Sequence, residues 1–245
     1  MKASGLHEEK INKNHWFVFV CLYLLTLVSQ ILFPFYHAVQ HGENYLPQLL
    51  PSVAFLSILS LPSIAIGLVL GPKIGIGIVN AKAADKAFFG LTFALVTGVC
   101  LGGLLLLLRV WLSPYLPEEL PDYGFRGVIG GVLVSLGAAV GEEVWFRFGL
   151  LTLVLFFIQK WRNQTLSLFS VWAVFVTVAV LFGAAHLPQL VSYGAGSSFA
   201  IGATIAGNMV VSLLFSWCFW RYGLASAILA HFSVDIVLHS LSAIA

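Results

Sequence analysis

The sequence predicts an all-α protein, a polytopic transmembrane helical bundle of seven or eight spans. The chain has 245 residues, of which 60% are hydrophobic and only 9% are charged. A soluble domain carries about 25% charged residues, so this composition excludes a water-soluble enzyme and, more firmly, a disordered protein. The apolar residues fall in runs long enough to cross a bilayer, which takes about 20 residues per helix. The mild net charge of +2, from scattered residues, gives no sign of a nucleic-acid partner.

Eight apolar segments are candidates for membrane spans. They cover residues 16–35, 50–71, 87–112, 126–143, 144–159, 165–186, 199–220 and 223–244. The fourth and fifth are contiguous, and they would form either one long tilted helix of about 51 Å or a crossing followed by a short helix. Because the sequence shows neither a repeat nor a domain linker, the whole chain, residues 1–245, is expected to form a single membrane domain.

The distribution of basic residues predicts the orientation of the bundle. Residues 1–15 are expected to form a polar tail before the first span, and the loop over residues 73–86 is rich in lysine. The positive-inside rule places both segments in the cytoplasm. The acidic loop over residues 114–122 then faces outward. The long apolar run after the tail is typical of a first transmembrane helix rather than of a removed signal peptide.

A few ionisable side chains fall within the apolar segments or at their ends instead of in the loops. They comprise three carboxylates, one arginine and two histidines: Glu142, Glu143, Asp235, Arg147, His186 and His231. A charge at the centre of a membrane helix costs about 2.5–3.5 kcal/mol on insertion scales, so such residues are expected to face a protein interior or a water-filled cavity. A functional site is therefore the default hypothesis, with a structural ion pair or a transporter's proton relay as the alternatives.

Helical spacing separates the two adjacent glutamates. Glu143 and Arg147 lie about 40° apart on an α-helix, whereas Glu142 and Arg147 lie about 140° apart. Arg147 is therefore expected to neutralise Glu143 and to leave Glu142 free for proton chemistry.

The histidines indicate hydrolytic chemistry. His231 and Asp235 share a helix face, which His239 continues, and Phe182 lies one turn before His186. Hydrolysis of an amide needs a base that activates water and donors that stabilise the oxyanion. One Glu and two His could supply both directly, or could ligate zinc with an open position for water. The H-E-x-x-H signature of metalloproteases is absent from the sequence.

These residues resemble three motifs of the CAAX protease and bacteriocin-processing (CPBP, or Abi) family of intramembrane endopeptidases, and the chain is similar to the type II CAAX prenyl endopeptidases. Residues 141–147, G-E-E-V-W-F-R, resemble the family's E-E-x-x-x-R motif. Residues 182–186 resemble F-x-x-x-H, and residues 231–235 resemble H-x-x-x-N or a variant of it. The three occur in the family's order, and the resemblance covers the C-terminal half of the chain.

The resemblance implies an endopeptidase that cleaves a hydrophobic or lipidated peptide or protein, entering laterally or from the cytoplasmic face. Its catalytic core would lie in residues 126–244. By analogy with the family, Glu142 and His186 would activate the water, and His231 with Asp235 would form the oxyanion side. Glu143, Arg147 and Phe182 would support the site structurally. A glutamate-type mechanism without a cofactor is favoured, and a zinc-dependent version would use as ligands Glu142, His186 and His231.

Position 235 departs from the family pattern. It is Asp, where the prenyl-protein members typically have Asn. An ionised Asp accepts hydrogen bonds without donating them, so it could orient His231 but could stabilise an oxyanion only if protonated. The departure puts a prenylated substrate in doubt more than it does peptidase activity. Two alternative functions stay open: a non-catalytic membrane scaffold of the same family and a proton-coupled membrane transporter.

Convergence of the site residues bears on the number of spans, because Glu142 and His186 must meet at one depth. If residues 144–159 make their own crossing, both fall near the cytoplasmic face. If residues 126–159 form one helix, His186 is expected at the outer end of its span. Convergence thus favours eight segments, although Lys160 and Arg162 would then lie outside, against the charge rule.

Overall fold

Seven helices are long and apolar enough to cross a membrane in the computed structural model, which describes residues 2–80 and 85–244, with side chains from His15 onward. They are His15–Gln40, Leu46–Ile74, Ala87–Tyr115, Gly127–Arg162, Leu168–Ser192, Ser198–Tyr222 and Leu224–Ala243. These spans confirm the predicted transmembrane helical bundle, and the chain is an integral multi-pass membrane protein.

The spans are built mainly from α-helices. Over the described ranges these are α1 (Lys2–Gln40), α2 (Leu46–Leu70), α3 (Ala87–Leu112), α4 (Gly127–Glu142), α5 (Thr152–Arg162), α6 (Leu168–Ala185), α7 (Leu187–Ser192), α8 (Ser198–Tyr222) and α9 (Leu224–Asp235). Two π-helical segments, Glu143–Leu151 and Ile236–Ser240, directly follow α4 and α9. Because α1 begins at Lys2, residues that the sequence assigns to a polar tail continue the first helix.

The preference for eight crossings is wrong, because α4, the first π-helical segment and α5 form one continuous helix. It has 36 residues and is about 54 Å long at 1.5 Å per residue. Since the apolar core of a bilayer is about 30 Å thick, the helix is long enough to extend beyond that core. Its α5 end lies beside the 3-10 turn that follows α2, where the Lys73 ammonium is 5.7 Å from the centre of the Phe156 ring. The basic residues Lys160 and Arg162 therefore lie at the same end as Lys73, and the conflict with the charge rule disappears.

Glu142 and His186 nevertheless meet at one depth, because they lie at similar distances along their helices from the loop that joins α5 to α6. Glu142 precedes Arg162 by 20 residues, and His186 follows Leu168 by 18 residues. Measured from the loop that joins α5 to α6, the two residues are thus about 30 Å and about 27 Å along their helices. Both residues lie towards the end of the bundle opposite to that loop. The lysine-rich segment over residues 73–86 begins at the same end as the loop.

Small residues bring α3 into direct contact with α9. Every fourth residue of α3 from position 90 to position 102 is a buried Gly or Ala. A Cβ atom on Gly98 would lie 2.6 Å from the carbonyl oxygen of Ala230, and one on Gly102 would lie 2.8 Å from that of Val234. Such stripes allow backbones of membrane helices to approach closely and pack by van der Waals contact. They set the position of α9, which carries His231 and Asp235.

Residues 76–80 cap the junction between α8 and α9. The first two amides of α9 donate to the carbonyl oxygens of Gly77 and Ile78 at 3.0 and 3.1 Å. The side chain of Asn80 donates to the carbonyl oxygens of Phe219 and Trp220, and its Oδ1 accepts from the Gly77 amide. These bonds satisfy backbone groups that a helix terminus would otherwise leave unpaired.

Candidate active site

A cavity of about 310 Å³ lies between α3, α4, α6, α8, α9 and the loop over residues 116–126. Its lining includes the four side chains predicted to be catalytic, Glu142, His186, His231 and Asp235. The volume is at the lower end of the range for ligand sites, roughly 300–1,000 Å³. The fold thus brings into one cavity the residues that the sequence placed on three separate spans.

Glu142 is the last residue of α4, and its carboxylate faces two imidazole rings. Its Oε2 atom lies 3.9 Å from Nε2 of His186 and 3.9 Å from Nε2 of His231. Both separations exceed the 2.7–3.2 Å of a direct hydrogen bond and are of the length that a bridging water spans. This oxygen is buried and has no hydrogen-bond partner among the described residues. It is therefore available to a third molecule.

His186 occupies the break between α6 and α7. Its Nδ1 atom lies 2.8 Å from the carbonyl oxygen of Phe182, and because a carbonyl oxygen only accepts, Nδ1 is the donor. In the neutral ring Nε2 then carries the free lone pair that faces the cavity. Pro188 lies in the first turn of α7 and has no amide hydrogen with which to continue α6, which explains the break at this position.

His231 is held by contacts on both ring nitrogens and on one ring face. Its Nδ1 atom donates to Oε1 of Glu143 at 2.8 Å, and its Nε2 atom lies 3.4 Å from Oδ2 of Asp235. The ring stacks on Phe215 with centres 4.4 Å apart and planes 14° apart. With only 5% of the side chain exposed, the imidazole has a single fixed orientation.

Glu143 and Arg147 form the buried ion pair that the sequence predicts, with Nη1 and Oε1 3.0 Å apart and neither side chain exposed. Arg147 also donates to the carbonyl oxygen and the hydroxyl of Ser212, and its guanidinium lies 4.6 Å from the centre of the Phe182 ring. The sequence did not anticipate that Oε1 of Glu143 also accepts the hydrogen bond from His231. Glu143 therefore contacts a site residue directly.

Two residues of α8, Ser212 and Phe215, belong to the site although no motif marked them. Ser212 binds the guanidinium of Arg147, and Phe215 stacks on His231. A serine inside an apolar span was an available signal, since polar side chains in membrane helices commonly bond across helices. Phe215 gave no signal, because an aromatic residue in a membrane span is common.

The sequence profile of a known family matches this part of the chain. Residues 124–237 match the family described as Type II CAAX prenyl endopeptidase Rce1-like. This Rce1-like segment contains all three motifs, which confirms the resemblance stated on the sequence and supports a CAAX-type intramembrane protease at the family level. No curated protein and no solved structure matches the chain.

Part of the cavity wall precedes the Rce1-like segment. Arg109 of α3 donates to the carbonyl oxygens of Leu120 and Pro121 at 3.2 and 3.4 Å, so α3 fixes the loop that borders the cavity. Tyr123 of this loop meets the ring of His239 edge-on, with centres 5.8 Å apart. Burial raises the pKa of the Tyr123 hydroxyl, although the nearby Arg109 guanidinium lowers it. The loop therefore presents a neutral phenol to the cavity.

The three side chains suggested as zinc ligands lie farther apart than the ligands of a zinc site. Among the residues that the structure describes, no group of three or more His, Cys, Asp or Glu side chains is placed to hold a metal ion. Zinc ligands at about 2.0–2.2 Å from the ion lie about 3.3 Å from one another in a tetrahedral site, whereas Glu142 lies 3.9 Å from each imidazole nitrogen. A zinc-dependent Rce1-like site would need these three side chains to move closer together.

Proposed function

We propose that the protein is an intramembrane endopeptidase that hydrolyses a peptide bond in a hydrophobic or lipidated peptide or protein, with a water molecule activated by Glu142 and His186. One observation carries the proposal: a carboxylate oxygen without a direct partner lies 3.9 Å from each of two imidazole nitrogens, inside a cavity of membrane helices. A bridging water is the natural occupant of such a gap. The mechanism uses no cofactor.

In the proposed reaction Glu142 is the general base. The water donates one hydrogen bond to Glu142 and the other to the lone pair on Nε2 of His186, which orients its oxygen. The oxygen attacks the carbonyl carbon while its proton moves to Glu142. When the tetrahedral intermediate collapses, the carbon–nitrogen bond breaks and Glu142 returns the proton to the leaving amine.

His231 and Asp235 serve the oxyanion in this scheme. Nδ1 of His231 already donates to Glu143, so donation from Nε2 to the oxyanion requires the doubly protonated, positively charged ring. The Asp235 carboxylate, 3.4 Å from Nε2, balances that charge and orients the ring. Asp235 is thus a positioning residue that acts through His231, which accommodates an aspartate where the prenyl-protein members typically have Asn.

Comparative proteomics of peptide termini tests the proposal. We expect cells that produce the wild-type protein to contain termini that are missing from cells with Glu142→Gln or His186→Ala at equal protein levels. Glu43→Gln is the matched control, because this glutamate is exposed in the loop before α2 and lies outside the cavity lining. Identical termini in wild-type and Glu142→Gln cells would contradict the proposal and favour a scaffold or a transporter.

A further inference from the structure

We infer that the cavity opens on the non-cytoplasmic side of the membrane, so that its substrate is a peptide segment presented from that side. The inference rests on the proposed function for the cavity's role as an active site. The inference combines two observations: the cavity lies at one end of the bundle, and the basic residues are concentrated at the other end.

The two ends of the bundle are defined by their contacts. At the cavity end, Arg126 donates to the hydroxyl of Tyr193 at 3.2 Å, and the hydroxyl of Ser240 donates to the carbonyl oxygen of Val128 at 3.0 Å. This end gathers the loops over residues 41–45, 116–126 and 193–197 and the last residues of the final span. At the opposite end, residues 77–80 pack against the α8–α9 junction, and the α5–α6 loop lies beside Lys73 and Ile74.

The cavity belongs entirely to the first of these ends. Its lining runs from Glu142 through the loop residues Asp122 and Arg126 to Gln189. Within the described ranges, no residue of the opposite end lines it. A substrate can therefore reach Glu142 from the cavity end, or sideways between helices near that end, but not through the opposite end.

The basic residues are concentrated at the opposite end. Five described Lys and Arg side chains lie there: Lys73, Lys86, Lys160, Arg162 and Arg221. The cavity end has two, Arg109 and Arg126. Lys2, Lys10 and Lys13 precede the span His15–Gln40, which starts at the opposite end. The cavity end instead carries four acidic residues in its loops, Glu43, Glu118, Glu119 and Asp122.

The positive-inside rule counts Lys and Arg near span ends and places the richer end in the cytoplasm. Applied to this asymmetry, it places the cavity on the other side of the membrane. The sequence had suggested entry laterally or from the cytoplasmic face; the inferred orientation keeps the lateral route and replaces the cytoplasmic one. The N-terminus stays on the cytoplasmic side, as the sequence predicts.

The orientation restricts the class of substrate. A protein anchored by a lipid in the cytoplasmic leaflet would present its peptide bond at the lysine-rich end, and no residue of that end within the described ranges lines the cavity. The structure therefore favours a hydrophobic segment of an exported or membrane-inserted polypeptide, accessible from the non-cytoplasmic face. A prenylated protein on the cytoplasmic surface does not fit this access.

Cysteine labelling in intact cells tests the orientation. In a background without native cysteines (Cys21, Cys100 and Cys218 replaced by Ala), single cysteines are introduced by Glu119→Cys at the cavity end and by Gln164→Cys at the opposite end, both exposed positions. We expect a membrane-impermeant maleimide to label the first in intact cells and the second only after permeabilisation. The reverse pattern, or labelling of both in intact cells, would overturn the inference.

A second measurement tests the orientation even if the cysteine-free protein accumulates poorly. Alkaline phosphatase or green fluorescent protein is fused after Ala243, at the cavity end, to the chain that keeps its native cysteines. We expect active phosphatase and no fluorescence. Active phosphatase together with identical termini in the Glu142→Gln comparison would refute the protease and keep the orientation. Fluorescence of the fusion, together with peptide termini that are missing from Glu142→Gln cells, would refute the orientation and keep the protease.

Discussion

At the scale of the residue, His231 derives its orientation from neighbours on three helical segments. Glu143 binds Nδ1, Asp235 approaches Nε2 and Phe215 covers one ring face. In the proposed reaction, an imidazole held in this way needs no reorganisation when charge develops on the substrate, and such preorganisation is the main source of electrostatic catalysis.

The role of Asp235 is tested by Asp235→Asn. We expect kcat to fall at least about tenfold, since a carboxylate that orients a catalytic imidazole and balances its charge commonly contributes more than that. KM should be unchanged, because the amide differs from the carboxylate only in failing to balance the charge on His231. Asp235→Ala should lower kcat at least as much. The measurement is the cleavage rate of a substrate found by the comparison of termini. Unchanged or faster cleavage by Asp235→Asn would show instead that the oxyanion needs only a donor at this position.

The buried ion pair is tested by Arg147→Ala. Removal of the guanidinium leaves the Glu143 carboxylate buried without its charge partner, which is expected to destabilise the fold by about 3–5 kcal/mol. Thermal unfolding in detergent measures this loss. The control is Arg221→Ala at an exposed position, which should leave the melting temperature nearly unchanged. If both variants melt alike, the pair contributes nothing to stability.

At the scale of the element, hydrophobic runs located the helices but not their local geometry. The π-helical segments after Glu142 and Asp235 have no sequence signal, because their wider turns are selected by tertiary packing rather than by side-chain type. Glu143 and Arg147 still pair across four residues within the first of these segments, so the pairing was predictable although the helix type was not. The short helix α7 lies between two predicted spans, residues 165–186 and 199–220, and hydropathy did not indicate it, although Pro188 does predict the break that precedes it.

The contact between α3 and α9 is tested with two adjacent glycines. A Cβ on Gly102 would meet the backbone of α9, whereas one on Gly103 would meet nothing within 4 Å. Gly102→Ala is therefore expected to displace α9, lowering both the melting temperature and activity. Gly103→Ala should keep activity and gain up to about 1 kcal/mol in helix propensity. Equal effects of the two substitutions on activity would show that α9 does not depend on this contact.

At the scale of the whole molecule, composition was sufficient to predict a membrane bundle, and three motifs were sufficient to predict which residues meet. The number of spans was not predictable in the same way, because the apolar run over residues 126–159 contains no proline to mark where a helix ends. Counting residues from the α5–α6 loop would have shown that one long helix already brings Glu142 beside His186. The first 125 residues gave only hydropathy, although the small-residue stripe of α3 was visible there.

The position of the cavity limits the shape in which a substrate can enter. In the proposed reaction the scissile bond must reach Glu142 between helices that pack against one another. The backbone of an intact transmembrane helix is surrounded by its side chains, about 10–12 Å across, so we expect the residues around the scissile bond to unwind and enter as an extended strand. Unwinding in lipid exposes backbone groups at a cost of several kcal/mol each. Cleavage sites should therefore lie where a substrate helix ends, or where Gly or Pro has already weakened it.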